Sequence, residues 1–169
     1  FAQVDGMGYH PYQHDVPELK AVETAGVTAY MRSLSTPFLT PFWVTEVGSS
    51  ASNFNEGAAD NVPNAVNLKK QARIQLRHVL TSWATNRQMH VVYALRDNNQ
   101  ASALSSEAYY GLQTATGVDK PAGTAIRQLF SIANGRKMEG MVTGNPSRVQ
   151  AMKFSADDKD PVYVVWSNS

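Results

Sequence analysis

The chain has 169 residues, of which 43% are hydrophobic, and its 15 lysine and arginine side chains nearly balance 14 aspartates and glutamates. This length supports one domain with a real core and excludes two large ones. The scattered, balanced charges imply neither a nucleic-acid partner nor a membrane partner. Because the chain has no cysteine, a disulfide framework, a zinc–thiolate site and a thiol nucleophile are excluded.

The first elements of the chain are predicted to be a strand, a loop and a helix. Residues 1–6 have the composition of a strand, and a polar and aromatic loop follows at residues 8–12. Apolar residues recur at helical spacing from Pro17, a good first-turn residue, to Leu34. Since the chain begins in a strand and ends just after one, we expect it to be part of a longer protein.

The next strand delivers one carboxylate at its end. Residues 41–50 form an apolar run that contains Glu46 just before a glycine and two serines. A carboxylate in this position is costly to bury unless it has a partner or a function. Glu46 is therefore either a functional group or a carboxylate that pairs with an arginine or caps a loop.

A second helix is predicted over residues 66–83, with its apolar side chains on one side. The opposite side carries Lys69, Lys70, Arg73 and Arg77, which we interpret as a solvated face.

The remaining elements are a third strand, a third helix and a set of short strands. Residues 90–95 predict the strand, and Pro121 begins a helix that Gly135 ends. Beyond Gly135, short strands are predicted at residues 140–143, 149–154 and 162–166.

Strands that alternate with helices predict an α/β fold with a parallel sheet. The loops after the strands are long and polar, which favours a TIM barrel with its functional face at the carboxyl ends of the strands. A doubly wound sheet is the alternative, but no glycine-rich phosphate loop follows any strand.

Several short motifs resemble clan A glycoside hydrolases, in particular the cellulase-like and β-xylosidase-like members. They are His-Pro-Tyr at residues 10–12, Trp-Val-Thr-Glu-Val-Gly at 43–48, Val-Tyr-Ala-Leu-Arg-Asp at 92–97, Gly-Leu at 111–112 and Lys-Pro-Ala at 120–122. The resemblance implies that residues 1–135 are about strands six to eight of a (β/α)8 TIM-barrel catalytic domain. Residues 136–169 would then begin a small β-sandwich domain.

The resemblance also implies a retaining glycosidase. Glu46 would be the catalytic nucleophile. His10 and Tyr12 would assist it by hydrogen bonding to the carboxylate, although a loop histidine can also bond backbone and a tyrosine can simply pack. Substrate contacts are predicted for Tyr93, Arg96, Asp97 and Trp43, and Tyr109 and Tyr110 are alternatives to Tyr93 as the face on which the sugar stacks. Arg96 and Asp97 could instead pair with each other, and alternation along the strand favours a packing role for Trp43.

The second carboxyl group of a retaining site is not found in this chain. In this clan it is a glutamate after an asparagine, and the Asn55–Glu56 pair lies in the wrong loop. The other carboxylates, Glu107 among them, are predicted to be solvated. No metal or cofactor is implied, because Pro11 prevents a helical ligand pair of His10 and His14.

We therefore predict the carboxyl-terminal part of a secreted glycosidase that acts on a β-linked polysaccharide or glycoside. Its partners would be a carbohydrate substrate and either the amino-terminal half of the barrel or another chain. The isolated chain would be inactive. The alternative is a non-catalytic barrel fragment that binds sugar or protein and assembles with another chain.

Overall fold

The structure is a computed structural model that describes residues 7–12, 26, 29, 42–52, 62–85, 89–142 and 149–167. The strand predicted at residues 1–6, most of the helix predicted from Pro17 and the Asn55–Glu56 pair lie outside the described residues. Within that helix, Gly26 and Ala29 are described, and both are helical.

The first three strands form a parallel sheet. They are β1 (Met7–Tyr9), β2 (Phe42–Val47) and β3 (Met89–Val92), in the order β1-β2-β3. Gly8 lies opposite Trp43 between β1 and β2, and Trp43 lies opposite Met89 between β2 and β3. The two strands of each pair are parallel, which confirms the predicted α/β class with its parallel sheet.

Two long helices follow the strands, and each begins at a clear sequence signal. In α1 (Ala65–Ala84), the side chain of Asn64 accepts the backbone N–H of Val66 at 3.0 Å and of Asn67 at 2.9 Å, which satisfies donors that a helix start leaves unpaired. In α2 (Pro121–Ala133), proline occupies the first turn, as predicted.

The predicted solvated face of α1 is correct for three of its four basic residues. Lys69, Lys70 and Arg73 are exposed, whereas Arg77 is only 3% exposed, so the prediction is wrong for Arg77. Arg77 lies three residues after the buried Ile74. Residues three apart share one face of a helix, which places Arg77 at the border of the buried face.

The last three strands form an antiparallel sheet that packs on both helices. They are β4 (Lys137–Met141), β5 (Val149–Ala156) and β6 (Lys159–Ser167), with β5 in the centre. The strands predicted at residues 149–154 and 162–166 are present in lengthened form. The strand predicted at 140–143 starts three residues earlier and ends at Met141, and residue 143 lies outside the described residues. The core that joins this sheet to α1 and α2 consists of Val79, Leu80, Ile126, Leu129, Met152 and Phe154.

No helix within the described part of the chain has the length and apolarity that a membrane span needs.

Candidate active site

The carboxyl ends of the three parallel strands bring the first candidate residues together. Glu46 is the fifth residue of β2, Tyr12 follows β1 by three residues, and Tyr93 comes directly after β3. Because neighbouring parallel strands end at the same edge of a sheet, these three side chains meet there although they are far apart in sequence.

Glu46 is held by a phenol. The Tyr12 hydroxyl donates a hydrogen bond of 2.5 Å to Glu46 Oε1, and His10 Nδ1 lies 3.9 Å from Oε2. The side chains of Glu46 and His10 are 37% and 53% exposed. Among the described residues, the partners of this carboxylate are therefore a phenol and an imidazole, and not the arginine of the alternative interpretation.

The Tyr12 phenol stays protonated over the whole ordinary pH range. Burial raises the pKa of Tyr12 most, and the hydrogen bond to Glu46 and the negative charge of that carboxylate raise it further. A protonated phenol is a permanent hydrogen-bond donor, and a hydrogen bond to one carboxylate oxygen fixes the orientation of the carboxylate. Tyr12 thus orients Glu46 with Oε1 occupied and Oε2 turned toward His10.

Two further side chains complete an open pocket around Glu46. A cavity of about 390 Å³ is lined by Tyr12, Glu46, Tyr93, Glu107 and Tyr110, and we call it the Glu46 pocket. The Tyr93 hydroxyl donates to Glu107 Oε2 at 3.3 Å. Burial, followed by the nearby Glu107 charge, raises the pKa of Tyr93. The pocket therefore combines two carboxylates with three phenol rings.

The three rings of the Glu46 pocket contact one another. The Tyr110 ring meets the Tyr12 ring edge-on, with centroids 6.1 Å apart and an interplanar angle of 86°. Its centroid lies 5.5 Å from that of Tyr93. Edge-on pairs of this kind are favoured by the aromatic quadrupole. Tyr110 is only 7% exposed, so it forms a packed wall of the pocket.

A glycine allows the strands and the Tyr110 wall to approach each other. A Cβ atom at Gly48 would lie 2.0 Å from the carbonyl oxygen of Tyr93 and 2.9 Å from Cδ1 of Tyr110. Only glycine fits there without displacing backbone. The glycine directly after β2 thus determines how closely the third strand and the aromatic wall lie beside Glu46.

Glu107 is the pocket residue that the sequence did not indicate. We predicted a solvated carboxylate, and its side chain is indeed exposed, but it lines the Glu46 pocket. It belongs to a short 3-10 helix (Ser106–Tyr109) that starts at the Ser105 cap. Its position in the chain could have indicated a role, because this helix lies in the loop after β3, and functional residues of such folds lie in the loops that follow the strands.

Three of the predicted substrate contacts, Arg96, Asp97 and Trp43, are not among the residues that line the Glu46 pocket. Arg96 Nε is 3.4 Å from Gln113 Oε1, and Asp97 Oδ1 accepts from Lys120 Nζ at 2.8 Å. The alternative prediction, an ion pair between Arg96 and Asp97, is therefore wrong, because the Asp97 carboxylate forms its ion pair with Lys120. Trp43 is half-buried in the centre of the sheet. Sugar contact by Arg96, Asp97 and Trp43 stays a prediction.

The described side chains include no group of three histidines, aspartates or glutamates arranged to hold a metal ion.

Comparison with solved structures finds glycoside hydrolases. A family 39 glycoside hydrolase from the gut symbiont Bacteroides cellulosilyticus WH2 has a TM-score of 0.69 and 17% identity, over 98% of this chain and 34% of the other. The catalytic core of xylanase A has a TM-score of 0.51 and 17% identity, over 74% of this chain and 39% of its own. No protein-family model matches the sequence, and no curated protein matches it either.

One of these structures is a glycoside hydrolase and the other is the catalytic core of a xylanase, so the resemblance noted in the sequence is confirmed as a likeness of fold. At this level of identity the likeness concerns the fold. The chain is a mixed α/β structure similar to part of a TIM-barrel glycoside hydrolase, and it spans between a third and two fifths of the length of these two neighbours.

Proposed function

We propose that this chain carries the nucleophile of a retaining β-glycosidase, with β1, β2 and β3 as the sixth, seventh and eighth strands of a TIM barrel. The observation that carries the proposal is the Tyr12 hydroxyl bonded to Glu46 at the carboxyl edge of the parallel sheet. The similarity to barrel glycoside hydrolases over 98% of this chain supports the strand assignment.

In the first step of the proposed reaction, Glu46 attacks the anomeric carbon of the sugar. A bond forms between a carboxylate oxygen and that carbon while the glycosidic bond breaks, and the leaving oxygen takes a proton from an acid. Tyr12 donates to Oε1, so we assign the attack to Oε2, which lies 3.9 Å from His10 Nδ1. Water then cleaves the glycosyl ester, which releases the sugar and restores the Glu46 carboxylate.

The second carboxylate of the Glu46 pocket is assigned to substrate recognition. Glu107 is exposed and accepts a hydrogen bond from Tyr93, so it is suited to accept hydrogen bonds from sugar hydroxyls. The acid/base group of the reaction is assigned to no residue of this chain. A retaining site requires it about 5 to 5.5 Å from the nucleophile, and we expect another part of the barrel to supply it.

The lining of the pocket favours a neutral sugar. Tyrosine rings offer apolar faces to the C–H face of a sugar and hydroxyls to its polar edge. Two carboxylates repel an anionic ring, and the nearby Lys120 is already paired with Asp97. We propose a β-linked polysaccharide or glycoside as the substrate, and a secreted protein as its source.

A non-catalytic role is the second candidate. Among the described strands, β1 and β3 each have one neighbour only, so the parallel sheet has two open edges that another piece of barrel could cover. In that case the Glu46 pocket would bind sugar without cleaving it, and the chain would act by assembly with another chain.

Replacement of the nucleophile separates the two candidates. In the full-length protein, Glu46→Gln should lower hydrolysis of an activated aryl β-glycoside by on the order of 10⁴-fold or more, as loss of a nucleophile does in other covalent mechanisms. Folding should be preserved, because Gln keeps the shape of a side chain that is 37% exposed. In the unsubstituted protein, an activated 2-deoxy-2-fluoro glycoside should lose its leaving group to attack by Glu46 and add the mass of the fluoroglycosyl group to the peptide that contains Glu46.

The control is Glu139→Gln, which removes an exposed carboxylate on β4 that pairs with Lys153. It should leave hydrolysis unchanged. Normal turnover in the Glu46→Gln variant would reject the proposed function. Sugar binding without hydrolysis in the unsubstituted protein would favour the non-catalytic role.

A further inference from the structure

One buried amide nitrogen on α1 lies among four backbone carbonyl groups. Gln71 is completely buried. Its Nε2 lies 2.9 Å from the oxygen of Ser49, 3.1 Å from those of Tyr109 and Gly111, and 3.3 Å from that of Tyr110. A side-chain amide has two hydrogens, so these acceptors share them, and one group holds all four carbonyls.

These carbonyls belong to two segments that flank the Glu46 pocket. Ser49 follows Glu46 by three residues, at the start of the connection to α1. The other three carbonyls belong to residues 109–111, which begin at the last residue of the short 3-10 helix and precede α2. Gln71 therefore ties the segment behind the candidate nucleophile to the segment that carries the aromatic wall.

The carbonyl of Tyr109 is the centre of this connection. Its oxygen also accepts from the backbone N–H of Ala51 at 3.0 Å and from Lys120 Nζ at 3.0 Å. Lys120 donates to Asp97 Oδ1 as well, and the same carboxylate oxygen accepts the N–H of Gly111 at 2.9 Å. Displacement of a donor or acceptor of this network leaves a buried polar group unpaired, so the network resists movement. The exception is Gln71 Oε1, which has no hydrogen-bond partner among the described residues.

The network determines the position of Tyr110. The ring of Tyr110 packs edge-on against Tyr12, and Tyr12 donates its hydroxyl hydrogen to Glu46. We propose that Gln71 is a positioning residue of the active site, which acts on Glu46 through Tyr110 and Tyr12. The inference rests on the proposed function, in which Glu46 is the nucleophile.

The chain contains a matched control on the same helix. Gln75 lies one turn after Gln71 and is also completely buried. Neither its Nε2 nor its Oε1 has a hydrogen-bond partner in the described part of the chain. Replacement of either glutamine by methionine keeps the side-chain length and removes the amide, but only the replacement of Gln71 breaks hydrogen bonds to backbone carbonyl groups.

The experiment compares Gln71→Met with Gln75→Met in the full-length protein. Spectra of ¹³C-labelled tyrosine rings, assigned with Tyr12→Phe and Tyr110→Phe, report the positions of the two rings independently of activity. Gln71→Met should shift both resonances and lower kcat for an aryl β-glycoside by roughly a hundredfold, the penalty of about 1 Å of misplacement, with a smaller change in KM. Gln75→Met should leave the ring resonances and kcat unchanged.

A partial replacement covers the case in which Gln71→Met does not fold. Gln71→Asn keeps an amide that is one methylene shorter, so it should shift the same resonances in the same direction and recover part of kcat. Equal behaviour of the variants at positions 71 and 75, in both spectra and kinetics, would overturn the proposal. If Gln71→Met moves the two rings while the unsubstituted protein hydrolyses no glycoside, the positional link stands and the proposed function fails.

Discussion

The parallel and the antiparallel sheet in the described part of the chain differ in the interactions that hold their side chains. At the edge of the parallel sheet, side chains are held by hydrogen bonds, such as that between Tyr12 and Glu46. In the antiparallel sheet, Met152 and Phe154 are buried in the apolar core that they form with both helices. The first arrangement fixes directions of side chains, and the second removes apolar area from water.

The same helix serves both regions. The first half of α1 carries Gln71, which bonds the carbonyls beside the Glu46 pocket. Its second half carries Val79 and Leu80, which pack on the antiparallel sheet. Hydrogen bonds are directional but contribute modest net stability, whereas apolar burial is non-directional and dominates folding. We therefore expect stability to depend mainly on the antiparallel side and activity on the parallel side.

The largest effect on stability is expected from the apolar core. Phe154→Ala removes a fully buried ring that contacts Trp83, and we expect it to lower the free energy of unfolding by about 4 kcal/mol. The kcat of the molecules that remain folded should be unchanged. Urea denaturation and glycoside hydrolysis on the same samples test both statements, with the exposed Tyr163→Ala as the control. A fall in kcat per folded molecule would contradict the separation of the two regions.

Ion pairs in the two regions should differ in their effect on stability. Lys120→Met leaves the Asp97 carboxylate, which is 14% exposed, without its cation, and we expect a loss of about 3 kcal/mol in the free energy of unfolding. Lys153→Met breaks the exposed pair with Glu139 on the antiparallel sheet and should not change it measurably. The urea midpoints of the two variants test this prediction. Similar midpoints would show that burial of the ion pair does not increase its contribution to stability.

The smallest effect is a change in pH dependence. Because the pKa of Tyr12 is raised in the folded state, the unfolded chain releases this proton first as the pH passes about 10, and stability falls with rising pH. Tyr12→Phe removes this contribution. The difference in stability between the unsubstituted protein and Tyr12→Phe should therefore shrink from neutral pH to about pH 11. A difference in urea midpoints that stays constant over this range would show that folding does not raise the pKa of Tyr12.

Much of the local structure could be predicted because its signals are local. Pro121 is predicted to begin a helix and does begin α2, because the first-turn preference of proline depends only on nearby backbone. Glu46 is a candidate because a carboxylate at the end of an apolar strand is visible without a structure, and Tyr12 is a candidate because the His-Pro-Tyr motif resembles clan A glycoside hydrolases. Their meeting follows from parallel pairing alone.

The contacts that the sequence did not predict are those between distant segments. Glu107 looks like a surface residue until the loop after β3 folds back to the Glu46 pocket. An ion pair between Asp97 and its neighbour Arg96 is one of the sequence predictions, yet the ion-pair partner of Asp97 is Lys120, 23 residues away. Arg77 fits a charged stripe by spacing, but the packing around α1 buries it.

The sequence by itself determined the alternation of strands and helices, the parallel sheet and the carboxylate that the second strand presents. These features follow from periodicity, capping and the alternation of side chains, which act over a few residues. Only the tertiary structure decided which carbonyls Gln71 holds, where Tyr110 lies and which cation pairs with Asp97. These contacts depend on how the loops bring distant segments together. Alternative loop conformations differ little in closure entropy, and the cost of burying unpaired polar groups selects among them.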